Sequence, residues 1–327
     1  MRYLKIGTAS RGNDMDAVDV AITEVGPRDG LQNTKGFMPT AAKRAWISAE
    51  AAAGVRAIEV CSFVPAKLIP QFVDAEEVLA HANAIPGLTS VVLVPNFKGC
   101  ERALAAGARR VMVPISVSEA HSMSNVRKTT AQAIEDFARM ADLVRSQAQG
   151  QRSQLVGACS TAFGCSLQGV VAESDVLRVA LALREAGADA ISLADTVGYA
   201  NPEQVKRLFR AVRKAIGEDF PIEAHFHNTR GLGLANALAA YEVGVRNFDS
   251  TLGGLGGCPW APGASGNVVT EDLVFMFESM GVRTGIDIGK LIEVRNTVFA
   301  ALPDAELYGH ISKAGLPKGF QPLTRAL

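Results

Sequence analysis

Two histidines separated by one residue, His225 and His227 in the segment HFHN, are the side chains whose spacing most directly indicates chemistry. In a β-strand, residues i and i+2 project to the same side, so both imidazoles would face one volume. Neighbouring protonated imidazoles repel each other, whereas a metal ion can bind both neutral rings. The pair therefore indicates a metal site, with a hydrogen-bonded structural pair as the alternative.

Oxygen-bearing side chains elsewhere in the sequence are candidates to complete such a site. Asp29 follows the apolar run DVAITEV, and Asn267 stands just after a glycine-rich segment. Two imidazole nitrogens with a carboxylate and an amide oxygen suit Mg²⁺ or Mn²⁺, with Co²⁺ as an alternative. Zinc is less favoured because thiolate ligands are missing from the set.

Three further charged residues lie in or beside predicted strands. Arg28 precedes Asp29 and could pair with it, but adjacent residues after a strand rarely pair well, and an arginine beside a metal can stabilise an oxyanion. Glu59 and Asp195 interrupt apolar runs. Buried carboxylates are costly unless partnered, so each is predicted either to support the metal or a proton transfer, or to form a salt bridge in the site.

The segment GGLGGCPWAPGASGN, residues 253–267, holds six glycines and Cys258 but no charge. Glycine loses the most conformational freedom on folding, so such a run destabilises the chain unless its mobility is used. We expect a mobile loop that brings Cys258 to the site when substrate binds. A passive loop cysteine is the alternative.

Eight short apolar or β-branched runs alternate with amphipathic segments, which predicts eight strands separated by helices. The runs are 19–25, 56–63, 89–96, 109–116, 154–161, 189–196, 221–228 and 246–253. Four of the runs follow a glycine, in AGVRAIEV, AGARRVMV, AGADAISL and VGVRNFDS, where glycine can end a helix in the left-handed conformation. The pattern predicts an α/β fold, a (β/α)8 TIM barrel. A doubly wound open sheet is the alternative, although no GxGxxG follows the first strand.

In a barrel, chemistry gathers at the carboxyl ends of the strands, and Arg28, Asp29, Asp195, His225 and His227 all fall there. We predict one domain over residues 1–327, with the loop 253–267 and a C-terminal helical extension from about residue 285. This placement of polar groups indicates an enzyme. A scaffold or binding barrel is the alternative, but a scaffold would not need the ligand set.

Composition excludes several classes of protein. The chain has 33 basic and 33 acidic residues, so no net field favours nucleic acid or an anionic membrane. Five cysteines without a CxxC pair argue against a disulfide framework, and no apolar run reaches membrane-spanning length. An apolar h-region is missing from the N-terminal segment. We expect a cytoplasmic enzyme that acts on a small molecule.

Several long motifs resemble those of the 3-hydroxy-3-methylglutaryl-CoA lyases, a group within the metal-dependent TIM-barrel lyases and synthases. They are EVGPRDGLQN, SFVPAKLIPQF, ISLADTVG, the HxH pair and GLGGCPWAPGASGNVVTEDLVFM, between about Val20 and about Val298. The resemblance implies a divalent metal held by Asp29, His225, His227 and Asn267. It also implies that Arg28 and Cys258 are catalytic, with Glu59 and Asp195 in support.

The implied reaction is a retro-Claisen cleavage of an acyl-CoA thioester to acetyl-CoA and a ketoacid, as in leucine degradation and ketone-body formation. Arg28 would stabilise the thioester enolate, and Cys258 would protonate it. We expect a homodimer or higher homo-oligomer. A condensing synthase is the rival, although such enzymes lack the loop cysteine.

The sequence departs from the lyase pattern in three places. The lyases usually read HxHDTYG where this chain has Asn228 and Arg230, and they carry an aromatic residue at the position of Ala158. The segment FGCSLQG also lacks the usual proline and aromatic residue. All of these positions are predicted to lie near the substrate, so citramalyl-CoA or a longer branched acyl-CoA is the alternative substrate.

Overall fold

Eight parallel strands close into one barrel, in which each strand pairs with its neighbours in sequence and β8 pairs with β1. The structure is a computed structural model that describes residues 18–34, 36–148, 150–256 and 266–322. The strands are β1 Ala21–Glu24, β2 Ala57–Ser62, β3 Thr89–Leu93, β4 Arg110–Ser116, β5 Gln154–Ser160, β6 Ala190–Asp195, β7 Ile222–Phe226 and β8 Asn247–Ser250. Each lies within one of the eight predicted runs. The predicted TIM barrel is therefore confirmed, and the open sheet is wrong.

Helices surround the barrel and connect its strands. They are α1 Thr40–Ala52, α2 Ala75–Ala84, α3 Phe97–Ala105, α4 Glu119–Val126, α5 Thr130–Arg145, α6 Glu173–Ala186, α7 Pro202–Ile216, α8 Gly233–Glu242, α9 Thr270–Ser279, α10 Ile288–Ala301 and α11 Ile311–Ala314. A capping box between Thr129 and Gln132 begins α5, whose apolar stripe is buried. Within the described ranges, no helix has both the length and the apolarity needed to cross a membrane.

The recurring glycine before a strand adopts the left-handed conformation at each of its four occurrences. The φ angles are +102° at Gly54, +81° at Gly107, +108° at Gly187 and +91° at Gly244. At Gly54, a Cβ atom would also lie 2.2 Å from the carbonyl oxygen of Gly285. These glycines end α1, α3, α6 and α8 and turn the chain into β2, β4, β6 and β8.

The main apolar core lies between the barrel and its helices, where Trp46, Phe137 and Phe209 are fully buried. A smaller cluster includes Met112 and Ala158, which also line the cavity at the barrel mouth. Near the amino ends of β4 and β7, Arg110 pairs with Glu223 inside the barrel. Burying either charge without its partner would cost several kcal/mol, so the pair belongs to the barrel's internal packing.

Candidate functional site

Asp29 and Arg28 lie on a π-helical turn, Gly26–Gly30, directly after β1. The carbonyl oxygen of Val25 accepts N–H groups from Arg28, Asp29 and Gly30 at 3.2, 2.7 and 3.3 Å. Such turns are rare and often occur at functional sites. Here the turn brings two consecutive side chains, Arg28 and Asp29, to the wall of one cavity.

The two histidines face Asp29 from β7. His225 lies within the strand, and His227 follows its last residue in an isolated bridge with Asn267. The ring centroids are 5.2 Å apart. The Nε2 atoms of His225 and His227 lie 3.9 and 3.8 Å from the same carboxylate oxygen of Asp29. The three residues offer ligand atoms within 4.8 Å of one another, which is close enough for one metal ion to bind them all.

Asn267 contacts this cluster through Asp29. Its Nδ2 atom donates to Asp29 Oδ2 at 2.6 Å. Its Oδ1 atom is buried and has no hydrogen-bond partner in the part of the chain that the structure describes. A buried polar atom without a partner needs an explanation, and a bound cation is one. Two imidazole nitrogens with carboxylate and amide oxygens therefore fit a divalent ion.

Burial and neighbouring charges favour the metal-binding forms of Asp29 and His227. Burial raises the pKa of Asp29, but Arg28 and the two histidines outweigh burial and hold this pKa below its usual range. Burial and the neighbouring His225 lower the pKa of His227 to about 4. Metal ligation requires an ionised carboxylate and a neutral imidazole, and the surroundings favour these forms at Asp29 and His227. At His225, burial favours the neutral ring, but the hydrogen bond and charge of Asp249 outweigh burial and raise the pKa.

Arg28 joins Asp29 to Glu59. Its Nε atom donates to Glu59 Oε2 at 2.6 Å, and its Nη1 atom donates to Asp29 Oδ1 at 2.6 Å. The expectation that adjacent residues would not pair after a strand is wrong here, because the π-helical turn replaces extended backbone. Burial outweighs Arg28 at Glu59 and raises the pKa of this carboxyl to about 7.

Asp195 ends β6, but its carboxylate serves the following loop. Its two oxygens accept the backbone N–H groups of Tyr199 at 2.8 Å and Ala200 at 3.1 Å. The cavity is lined instead by its neighbours Ala194 and Thr196. Burial raises the pKa of Asp195 to about 6 against these two hydrogen bonds. These contacts place Asp195 as a support for the β6–α7 connection.

Two of the unusual residues also serve loop structure. The Asn228 side chain accepts the N–H of Gly233, and Arg230 donates to the carbonyl oxygens of Val197 and Gly198. Neither Asn228 nor Arg230 is among the described residues that line the cavity. Ala158 does line it, whereas for positions 228 and 230 the expectation that they lie near the substrate stays a prediction.

One residue of the site was not found from the sequence. Asp249 on β8 lines the cavity, and its Oδ2 atom lies 3.1 Å from Nδ1 of His225. The sequence held a signal for Asp249, because this carboxylate interrupts the apolar run RNFDSTLG just as Glu59 and Asp195 interrupt apolar runs.

Cys258 lies outside the described residues. The chain that leads to it is described as far as Gly256, where a Cβ atom would lie 3.1 Å from the Cα atom of Gly30. The described start of the glycine-rich segment therefore packs against the turn that carries Asp29.

Fold and geometry together define a class of protein, a TIM barrel with a candidate divalent-metal site at the carboxyl ends of its strands. The chain matches the HMGL-like family model over residues 19–298 and belongs to this family. It is 41% identical to a hydroxymethylglutaryl-CoA lyase of Bacillus subtilis, over 84% of this chain and 90% of that protein. It is 40% identical to the mitochondrial enzyme of Homo sapiens, over 86% of each. An Arabidopsis thaliana relative is 41% identical, and the chain spans 57% of its length.

Solved structures give the same family. An HMG-CoA lyase from Acinetobacter baumannii, in complex with coenzyme A and 3-methylmalate, has a TM-score of 0.85 and 42% identity, covering 93% of this chain and 97% of that one. The enzyme from Pseudomonas aeruginosa has a TM-score of 0.85 and 36% identity, covering 90% and 97%. The carboxyl transferase domain of Rhizobium etli pyruvate carboxylase, at 19% identity and a TM-score of 0.68, shares the fold alone.

Proposed function

We propose that this protein is a hydroxymethylglutaryl-CoA lyase that cleaves 3-hydroxy-3-methylglutaryl-CoA to acetyl-CoA and acetoacetate. The observation that carries the proposal is the meeting of Asp29, His225, His227 and Asn267 at the mouth of a barrel whose relatives bear this name. The Oδ1 atom of Asn267 has no partner among the described residues. These relatives favour the methylglutaryl substrate over citramalyl-CoA, longer acyl groups and a condensing synthase. The loop contacts of Asn228 and Arg230 also give both residues a structural role that does not require a different acyl group.

Asp29, His225, His227 and Asn267 would hold the metal, and Mg²⁺ or Mn²⁺ is the ion that their oxygens and nitrogens suit best. When bound, such an ion supplies Lewis-acid polarisation of the substrate's oxygens. The Acinetobacter baumannii relative was solved with coenzyme A and a short hydroxydicarboxylate, 3-methylmalate, which supports a site for a hydroxyacid beside the thioester.

Arg28 acts on the charge that develops during cleavage. A base takes the hydroxyl proton of the substrate, the carbon–carbon bond breaks, acetoacetate departs and the enolate of acetyl-CoA remains. Arg28 lines the cavity, and its guanidinium carries more N–H donors than the ones that it gives to Glu59 and Asp29. The remaining donors stabilise the enolate oxygen. Glu59 and Asp29 hold the guanidinium plane in place from two sides.

Cys258 then protonates the enolate carbon. The proposal rests on the glycine-rich loop motif and on chain connectivity, since Cys258 is two residues beyond Gly256, which packs against the Asp29 turn. A thiol that arrives with a closing loop also keeps water away from the enolate. Asp195 supports the site through the β6–α7 loop.

The wider setting follows from the products. Acetyl-CoA and acetoacetate are the products expected of a step in leucine degradation or ketone-body formation. We place this enzyme in the cytoplasm and expect it to work as a homodimer or higher homo-oligomer. Relatives named as cytoplasmic and as mitochondrial both exist, so localisation is to be tested by fractionation.

The test is turnover of 3-hydroxy-3-methylglutaryl-CoA before and after chelation, followed through acetyl-CoA and acetoacetate. We expect chelated enzyme to be inactive and Mg²⁺ or Mn²⁺ to restore it. His227→Gln should lose metal and turnover, whereas His81→Gln, which removes a surface histidine bonded to Ser48, should keep both. Full activity without metal, or a higher kcat/KM for citramalyl-CoA, would contradict the proposal.

A further inference from the structure

We infer that Asp249 is a positioning residue that holds the His225 ring with its proton on Nδ1 and its Nε2 atom free, while no described residue gives the His227 ring such support. The two histidines of the proposed metal site would therefore be inequivalent before any metal binds. The inference rests on the proposed function in one respect only: a metal ion is taken as the ligand that the free Nε2 atom binds.

The first observation is the contact between strands β7 and β8. His225 and Asp249 are direct partners in the register of these strands. Asp249 Oδ2 lies 3.1 Å from His225 Nδ1, and the Asp249 side chain is 7% exposed. A carboxylate can only accept a hydrogen bond, so Nδ1 must carry the proton. The opposite ring nitrogen, Nε2, then presents its lone pair on the side of Asp29.

The second observation is the contrast with His227. Its Nε2 atom lies 3.8 Å from Asp29, almost as far as that of His225. Its Nδ1 atom, however, is buried and has no hydrogen-bond partner among residues 18–34, 36–148, 150–256 and 266–322. Within these ranges, no protein contact at Nδ1 selects a tautomer for His227. A carboxylate that orients a ligating histidine is known to affect metal affinity, so His225 is the preorganised member of the pair.

Asp249 could instead act only through its charge, because this charge also affects the pKa values of Arg28 and Glu59. If Asp249 only balanced the charge of Arg28, its removal would disturb the arginine without changing the tautomer of His225. Asp249→Asn separates the two roles. The amide keeps the size of the side chain, but its N–H₂ group can donate to Nδ1 and favour the proton on Nε2 instead.

The experiment is ¹⁵N NMR of histidine-labelled, chelator-treated full-length protein at about pH 9, far above the ordinary histidine pKa. Spectra of His225→Gln and His227→Gln assign the two rings. We expect wild-type His225 to carry its proton on Nδ1 and His227 to show averaged tautomers. In Asp249→Asn, the Nδ1 tautomer of His225 should be lost, and Mn²⁺ affinity by calorimetry should fall by about tenfold to a hundredfold.

Asp19→Asn is the matched control, since it makes the same change in a residue that pairs with Arg283 next to the start of β1. It should leave both the tautomers and the Mn²⁺ affinity unchanged. A wild-type His225 with its proton on Nε2, or Asp249→Asn with wild-type tautomer and affinity, would overturn the inference. The wild-type spectrum decides the tautomer even if Asp249→Asn does not fold. Wild-type protein that fails to bind Mn²⁺ would contradict the proposed metal site. The NMR spectra would still test the role of Asp249 in setting the His225 tautomer.

Discussion

Arg28 is the side chain whose contacts best define its role at the scale of single residues. Its guanidinium group donates hydrogen bonds of 2.6 Å to Glu59 and to Asp29, so its direction toward the cavity is set before substrate binds. We expect Arg28→Gln to lower kcat by about a hundred- to a thousandfold, since this is the usual loss when one oxyanion-stabilising group is removed. Steady-state kinetics with saturating Mn²⁺ measures the change.

Arg28→Lys should be nearly as impaired, because lysine keeps the charge but loses the planar fork. Arg102→Gln, which breaks a surface ion pair with Glu76, is the control and should keep full turnover. Metal content near that of wild type is part of the expectation. A kcat of Arg28→Gln within a few-fold of wild type would remove this residue from the mechanism.

Cys258 gives a prediction that does not depend on its position in the structure. If its thiol protonates the enolate, Cys258→Ala should lower kcat strongly while KM and metal affinity change little, because the thiol acts after binding. Cys100→Ala, at a buried cysteine of α3, is the control variant. A loss of kcat below about tenfold, or ~1.4 kcal/mol of barrier, would mean that Cys258 only packs the loop.

At the scale of elements, the β6–α7 connection decides how Asp195 should behave. Each carboxylate oxygen of Asp195 accepts one backbone N–H group, whereas an asparagine side chain has only one oxygen that can accept. Asp195→Asn should therefore lose one of these bonds and lower the free energy of unfolding by about 1–3 kcal/mol. Urea unfolding of metal-free protein measures this loss.

The same variant separates support from catalysis. A positioning role predicts reduced stability and a moderate loss of turnover, with Mn²⁺ affinity unchanged. Asp175→Asn, at the exposed first turn of α6, should change neither stability nor turnover. Wild-type stability combined with a collapse of kcat would instead favour direct participation of Asp195 in proton transfer.

At the scale of the whole molecule, a buried pair of carboxyls links the barrel to its helices. Glu24 at the end of β1 accepts N–H groups from Gly26 and Leu252, and so ties the Asp29 turn to the start of the glycine-rich loop. Glu50 on α1 accepts from Trp46 and is fully buried beside Glu24. Burial raises the pKa of Glu24 from 4.5 to about 8 and raises the pKa of Glu50 well above its usual value.

These raised pKa values determine whether the free energy of unfolding rises or falls with pH. Between about pH 4.5 and about pH 8, the folded protein keeps protons that the unfolded chain releases. The free energy of unfolding should therefore fall as pH rises through this window, and the contribution is fully present below pH 4.5. Glu50→Gln can keep the bond from Trp46 and donate an N–H to Glu24, so the fall should be smaller in this variant.

Urea unfolding at several pH values, with chelator present to remove metal linkage, measures the difference. Glu77→Gln changes an exposed glutamate that pairs with Arg44 and should retain the wild-type dependence. An unchanged pH dependence in Glu50→Gln would show that Glu50 does not contribute to the pH dependence of stability.

Much of the fold could be predicted because its signals are local. Apolar runs of strand length, and glycines such as Gly54 and Gly187 that must adopt positive φ, depend on neighbours in the chain. The alternation of strand and helix then leaves few topologies. The gathering of Asp29, His225 and His227 could also be anticipated, because parallel strands in a barrel end at one face.

The sequence alone thus determined the barrel and the group of side chains at its mouth, whereas the tertiary structure decided their contacts. The π-helical turn makes Arg28 and Asp29 partners, strand register pairs His225 with Asp249, and loop packing takes Arg230 away from the cavity. Spacing along one strand shows which way a side chain points. Which group it meets depends on register and loop packing between segments distant in sequence, and these are set only when the barrel closes and the core is packed.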